Sequence, residues 1–167
     1  LLRIAAGLEQ ADSGQVLVNG RCVRDLPPAR REVALVHAHS VLYPHLTVYL
    51  NLRFGLQLRK AGRIEADRRA RRTARLMGLD ELLDRLPRVL SPEERLRVAI
   101  GRALAHRPRV LLLDEPLAGS EGAARAAVGA ELASLCRDHL CRDQGLALLW
   151  ATREEADAPA AGQRTAL

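Results

Sequence analysis

Two carboxylates, Asp114-Glu115, close a run of four apolar residues, Val110-Leu111-Leu112-Leu113. An apolar run of that length ending in acids predicts a strand buried on both faces of a parallel sheet, with the acids at the end where open α/β sheets place their ligands. In a nucleotide hydrolase the first acid of such a pair holds Mg2+, often through water, and the second positions or deprotonates the attacking water. Asp114 and Glu115 fit those two roles. His37 and His39 share one face of a possible strand and could hold a metal, but the sequence places no third ligand beside them, and two ordinary histidines are the simpler reading. Cys22, Cys136 and Cys141 are odd in number, and Cys136 and Cys141 are spaced too widely for a metal clip, so they read as inert thiols.

The elements that must position these groups follow from patterning. Gln15-Val16-Leu17-Val18 before Asn19-Gly20 reads as a strand entering a two-residue turn, because Asn-Gly tolerates the positive φ values that such turns need. A second short strand is expected at Val33-Ala34-Leu35-Val36, and from about Val48 to His106 the pattern is helical. Glu65 to Met77 sets Arg68, Arg69, Arg71, Arg72 and Arg75 against Ala66, Ala70, Ala74 and Met77, an amphipathic helix whose charge run is a solvated face. Ser91-Pro92-Glu93-Glu94 opens another helix: Ser91 can cap free N–H groups, Pro92 fits the first turn, and the two acids complement the positive dipole end. That helix carries Leu96, Ile100 and Leu104 on one stripe. Ala123 to Leu135 is helical by content, and Leu146 to Ala151 reads as a second buried strand. Strand, helical block, strand, helix, strand is a doubly wound α/β order with a helical insertion.

Length and composition set the outer limits. The 167 residues amount to about one domain at roughly 150 residues each. Apolar residues at 48% and charged residues at 28% exclude a disordered, collagen-like or disulfide-dense chain. The longest apolar stretch, Leu146 to Ala151, is far below the roughly 20 residues of a membrane-spanning helix, and no export signal is visible. The sequence is expected to be a piece of a longer cytoplasmic chain. A net charge of +6 raises nucleic acid as a partner, yet Lys60 is the single lysine among 26 basic residues, which points to Arg-rich coding. Tyr43, Tyr49, Phe54 and Trp150 are the only aromatic residues, too few for base stacking, and no nucleic-acid partner is expected.

Arg88-Val89-Leu90-Ser91, Arg95 to Ala105, Pro108 and Val110 to Leu117 together resemble the signature helix and Walker B segment of ABC transporter ATPases. Upstream, Ala5-Ala6-Gly7-Leu8-Glu9, Ser13-Gly14, Leu26-Pro27-Pro28 and Leu42-Tyr43-Pro44-His45-Leu46-Thr47-Val48 are similar to the sugar and glycerol-phosphate importer branch, the maltose type. The resemblance runs in order from Leu1 to about Ala156. It implies a P-loop NTPase-like ABC core with a parallel sheet, an antiparallel β element toward the amino terminus and a helical insertion. One domain is expected, with a partial core and β element over 1–42, the insertion and signature helix over 43–106, and the Walker B core over 107–167.

The resemblance further implies ATP and Mg2+ as cofactors, integral-membrane permease subunits as partners, a homo- or heterodimer of ATPase subunits, and a place at the inner face of the cell membrane. Asp114 would hold Mg2+ through water, Glu115 would be the catalytic carboxylate, and Ser91 would meet the nucleotide of the opposite subunit. Tyr43, Pro44 and His45 would contact the permease. Several positions depart from the family. Its phosphate loop would immediately precede Leu1. Its Mg2+-sensing Gln corresponds to Ala38. Its Leu-Ser-Gly-Gly-Gln signature reads Leu90-Ser91-Pro92-Glu93-Glu94, where Pro92 lacks an N–H and Glu93 would bring a carboxylate toward phosphate. Two like charges ~4 Å apart at an effective dielectric near 20 repel by about 4 kcal/mol. Glu121 replaces an Asp after Walker B, and Arg153 stands at the switch His, a fixed cation where the family has a proton-exchanging ring. The residues therefore imply an ATPase ancestor with poor or absent hydrolysis, the alternative being a non-catalytic domain that only docks on a permease or an ATPase subunit.

Overall fold

The computed structural model describes residues 1–37, 41–58, 62–118, 122–135 and 145–152. Asn19 and Gly20, at φ 50° and 72°, make the tight turn that joins β1 (Leu17–Val18) to β2 (Arg21–Cys22), an antiparallel pair shorter than the run from Gln15 had suggested. The main sheet is parallel, in the order β3 (Val33–His37), β4 (Val110–Asp114), β5 (Ala147–Ala151). Its register sets Val33 opposite Val110 and His37 opposite Asp114, and Asp114 in turn opposite Ala151.

Strand β4 is central, and its apolar run is buried on both faces. Leu111 and Leu113 join the large core with Val36, Val48, Leu52, Leu96 and Ile100, while Leu112 packs on Leu2 and Ala6 of α1 (Leu2–Ala6). The first face is covered by α2 (Val48–Leu58), α3 (Arg63–Leu76) and α4 (Pro92–Ala105), which pack on one another. Helix α3 buries Ala66, Ala70, Thr73 and Ala74, small residues at helical spacing that admit close neighbours, and leaves most of its arginines on the solvent side. Gly55 on α2 lies where a Cβ would stand 2.4 Å from His106 Nε2, so a side chain there would displace the His106 ring. Helix α5 (Gly122–Leu135) contributes Val128 and Leu132 to the same core.

The expectation of a second buried strand needs correcting. In β5 only the flanking Leu146 is buried; Ala147 is exposed and Leu149 is 40% exposed, because β5 is the edge of the described sheet and α1 packs over β3 and β4 instead. An apolar run reports burial as an average, and periodicity does not distinguish a central strand from an edge one.

Arg31 fastens α1 to the sheet. Its buried guanidinium donates to the carbonyls of Ile4 (2.8 Å), Leu26 (2.8 Å) and Arg24 (2.6 Å). A cation at the carbonyl end of a helix satisfies otherwise orphaned acceptors. Gly7, at φ 81°, ends α1, and a Cβ there would fall 2.4 Å from Arg31 Nε. Since Arg31 lies two residues before β3, the carboxyl end of α1 sits near the amino end of β3.

Candidate functional site

The register brings His37 and Asp114 together from positions 77 residues apart: His37 Nδ1 lies 2.8 Å from Asp114 Oδ2, across the carboxyl ends of β3 and β4. A carboxylate accepts only, so the imidazole donates through Nδ1. The two side chains are 39% and 35% exposed, enough for a solute to reach them. Glu115 follows with φ at 48°, unusual for a residue with a Cβ, and this turns the chain sharply out of the sheet. Its amide donates to Ala151 O at 2.9 Å and its carbonyl accepts from Ala118 N at 3.0 Å, so the kink is held from β5 and from the loop beyond.

At the amino end of α4 the acids face inward. Ser91 Oγ accepts from the Glu94 amide at 3.1 Å, and the Ser91 amide donates to Glu94 Oε2 at 2.7 Å, which is a complete capping box. The Ser91 hydroxyl in turn donates to Glu93 Oε2 at 2.8 Å. The carboxylate expected to project toward phosphate is therefore folded back on the serine. The cap borders a cleft of about 410 Å3 lined by Leu79, Glu93, Glu94, Arg97, Val128 and Glu131, and Arg97 and Glu131 are ion-paired across it, joining α4 to α5. Asp114 and Glu115 do not line this cleft; within one chain the serine and the acid pair stay apart.

Tyr43, Pro44 and His45 are exposed and form a tight turn. Tyr43 meets Phe54 edge to face at 4.9 Å and His45 at 6.3 Å, and the Arg102 guanidinium sits 5.3 Å from the Tyr43 ring centre. Burial pulls Arg102 below the usual range for a guanidinium. The turn is built by Asn51, fully buried on α2: its Oδ1 accepts from the Tyr43 amide at 2.9 Å, and its Nδ2 donates to Tyr43 O (3.1 Å), Leu46 O (2.9 Å) and Thr47 O (3.0 Å).

Sequence reasoning missed Asn51 and the role of His37. A polar residue amid the apolar stripe of Val48, Leu52 and Leu56 was the available signal for Asn51. Ala38, Glu121 and Arg153, together with His39, Cys136 and Cys141, lie outside the described residues. Cys22 is an exposed free thiol.

The acid pair suits a hard cation in its donor chemistry, because Asp114 is a partly exposed carboxylate at the end of a rigid strand. His37 engages Oδ2 and leaves Oδ1 to present to Mg2+. Asp114 would hold that ion and Glu115 would lie beside it; when bound, Mg2+ neutralises charge on phosphate oxygens. No helix among the described residues is long and apolar enough to cross a membrane.

A parallel sheet whose central strand ends in Asp-Glu, a helical layer opened by a capped serine, and a small antiparallel element define an ATP-binding-cassette core. The ABC transporter family profile matches residues 1–118, and the chain belongs to that family. It is 41% identical over 172 residues to the trehalose/maltose import ATP-binding protein MalK of Thermococcus litoralis, covering 99% of this chain and 45% of that protein. It is 40% identical to the alpha-glucoside transport ATP-binding protein AglK of Rhizobium meliloti, covering 95% of this chain and 42% of that protein. It is 42% identical to the sn-glycerol-3-phosphate import ATP-binding protein UgpC of Bordetella avium, covering 82% of this chain and 38% of that protein. The chain thus spans less than half the length of these relatives. A solved ATP-binding cassette, a dimer in a post-hydrolysis state bound to ADP and Pi, shares the fold at a TM-score of 0.74 and 24% identity, covering 94% of this chain and 70% of that one.

Proposed function

We propose that this chain forms part of the ATP-binding subunit of an ABC importer for a sugar-like solute, with its own hydrolysis suppressed. The observation that carries the reading is the Asp114-Glu115 pair at the carboxyl end of the central strand, where an ATP-binding cassette needs its Mg2+ ligand and its water-directing carboxylate. The printed names of the relatives favour import of sugars or glycerol phosphate. The reading places the protein in the cytoplasm against the inner face of the membrane, with the turn at Tyr43-Pro44-His45 meeting permease subunits and Ser91 facing the nucleotide of a second ATPase subunit, identical or not.

Suppressed hydrolysis rests on the same geometry. Pro92 offers no N–H to a phosphate, and the Ser91 hydroxyl is engaged with Glu93. Ala38, Glu121 and Arg153 bear on it by residue type alone: Ala38 brings no polar group, Glu121 is one methylene longer than Asp, and Arg153 does not exchange protons near neutral pH. Mg2+-dependent ATP binding to the purified protein, weakened by Asp114→Asn, together with turnover at background, is the expected result. Steady turnover abolished by Glu115→Gln would overturn the suppression. Absence of any Mg2+-dependent ATP binding would favour the second reading, a domain retained only to dock on a permease or an intact ATPase subunit; the capping box at Ser91 is what supports that alternative.

A further inference from the structure

The other end of the sheet carries an unassigned cleft of about 420 Å3 between α3 and the turn from α4 into β4, lined by Arg69, Arg72, Arg107 and Arg109 with Glu32 and Thr73 among their neighbours. Arg69, Arg72 and Thr73 fall on one face of α3 by helical spacing, while Glu32 and Arg109 immediately precede β3 and β4. Asp114 terminates β4 at its opposite end, about 16 Å away for five residues at roughly 3.3 Å each. The cleft is therefore separate from the acid pair.

Three of its arginines, Arg72, Arg107 and Arg109, differ from Arg68, Arg69 and Arg71 on α3. Arg68 and Arg71 are ion-paired on the helix surface with Glu65 and Asp67, and Arg69 also reaches Glu65, at 2.6 Å. Among the described residues, Arg72, Arg107 and Arg109 make no ion pair, and Glu32 is the sole carboxylate lining the cleft. Three guanidiniums without an ion pair, with Glu32 the one acid lining the cleft, repel one another unless an anion joins them. The backbone is also set unusually here: Glu32 and Arg107 have φ of 56° and 53°, and the Glu32 carbonyl accepts from the amides of Arg109 (2.7 Å) and Val110 (3.3 Å). That bonding fixes the turn that carries Arg107 and Arg109 against the segment that carries Glu32.

We infer that this cleft binds a small phosphate-bearing anion. Guanidinium groups match phosphate oxygens in pairs, and the volume falls within the ~300–1,000 Å3 range of small-ligand sites. No aromatic side chain lines it, so it offers no platform for stacked bases of a nucleic acid.

The test is calorimetric titration of the purified protein with pyrophosphate, repeated in Asp114→Asn to separate this cleft from the nucleotide end. Binding is expected to survive Asp114→Asn and to weaken about tenfold or more in Arg72→Glu and in Arg109→Glu. The milder Arg72→Gln and Arg109→Gln, each verified by its melting curve, serve if charge reversal disturbs folding. Arg88→Glu, at an exposed arginine outside the cleft, is expected to leave the affinity within about twofold. A second arm uses phosphatidylcholine vesicles with and without phosphatidic acid. Capture that requires phosphatidic acid and is lost in the same variants assigns the phosphate to a lipid headgroup, whereas pyrophosphate binding without capture assigns it to a soluble ligand. Binding in neither arm overturns the inference, as does equal weakening by Arg88→Glu, which would mean diffuse charge attraction.

Discussion

Two pairs of adjacent carboxylates sit at element ends, Glu93-Glu94 at the start of α4 and Asp114-Glu115 at the finish of β4. The helix pair closes on its own serine and amides, so its charge is used in building the helix. The strand pair is fixed by long-range bonds, His37 to Asp114 and Ala151 to Glu115, and remains accessible from solvent. Local bonding makes a carboxylate part of the scaffold, whereas bonding between strands positions one without removing it from reach. The same contrast extends to α3, where Glu65 is held by Arg69 and Arg68, and Asp67 by Tyr49 and Arg71.

The comparison can be tested first through the supports of the two pairs. Leu112 is 1% exposed under the strand pair, and Leu112→Ala is expected to cost about 2–5 kcal/mol in denaturant unfolding, more than any change at the helix cap. A smaller loss there would mean that β4 is not the rigid bearer of its acids. Next in size is Ser91→Ala, which removes the cap acceptor and is expected to cost about 1–2 kcal/mol. Glu93→Ala leaves that acceptor in place and should cost clearly less; equal costs would erase the distinction between the capping bonds and the added one to Glu93. Asp114→Asn should change stability by no more than about 0.5 kcal/mol, because its pairing with His37 is partly solvated, while removing the Mg2+ dependence of nucleotide binding.

The smallest effect is acidic. The hydrogen bond from Arg69, then that from Arg68, holds Glu65 below its ordinary range, and the hydrogen bond from Tyr49 does the same for Asp67. Carboxyls with lowered folded-state values contribute stability that is present above their unfolded values, near pH 4, and is lost as pH falls through the lowered folded values. Helical circular dichroism is therefore expected to weaken slightly below about pH 4, and Glu65→Gln combined with Asp67→Asn should flatten that slope. An unchanged slope would show that the carboxylates on α3 contribute nothing to it.

Much of this contrast was legible in the sequence where the interaction is local. The cap at Ser91, the turn at Asn19-Gly20 and the doubly buried run at Val110 to Leu113 depend on residues within a few positions of one another, and each formed as read. The bond from Ser91 to Glu93 is also local, two residues apart, yet the family position of Glu93 taken by itself does not disclose it. From sequence His37 reads as an ordinary histidine near His39; its partner is set by the register of parallel strands, which a crossover of many residues conceals. Half-exposed β5 and buried Asn51 were hidden for a related reason. Burial depends on what the rest of the chain lays over a residue, and composition alone does not reveal it.

The bond from the Glu115 amide to Ala151 O works as a latch on a sprung joint. A left-handed backbone costs a residue with a Cβ roughly 1–2 kcal/mol, so Glu115 would relax if that latch opened. The backbone that carries this carboxylate is thus held in part from the last residue of β5, at the half-exposed margin of the sheet.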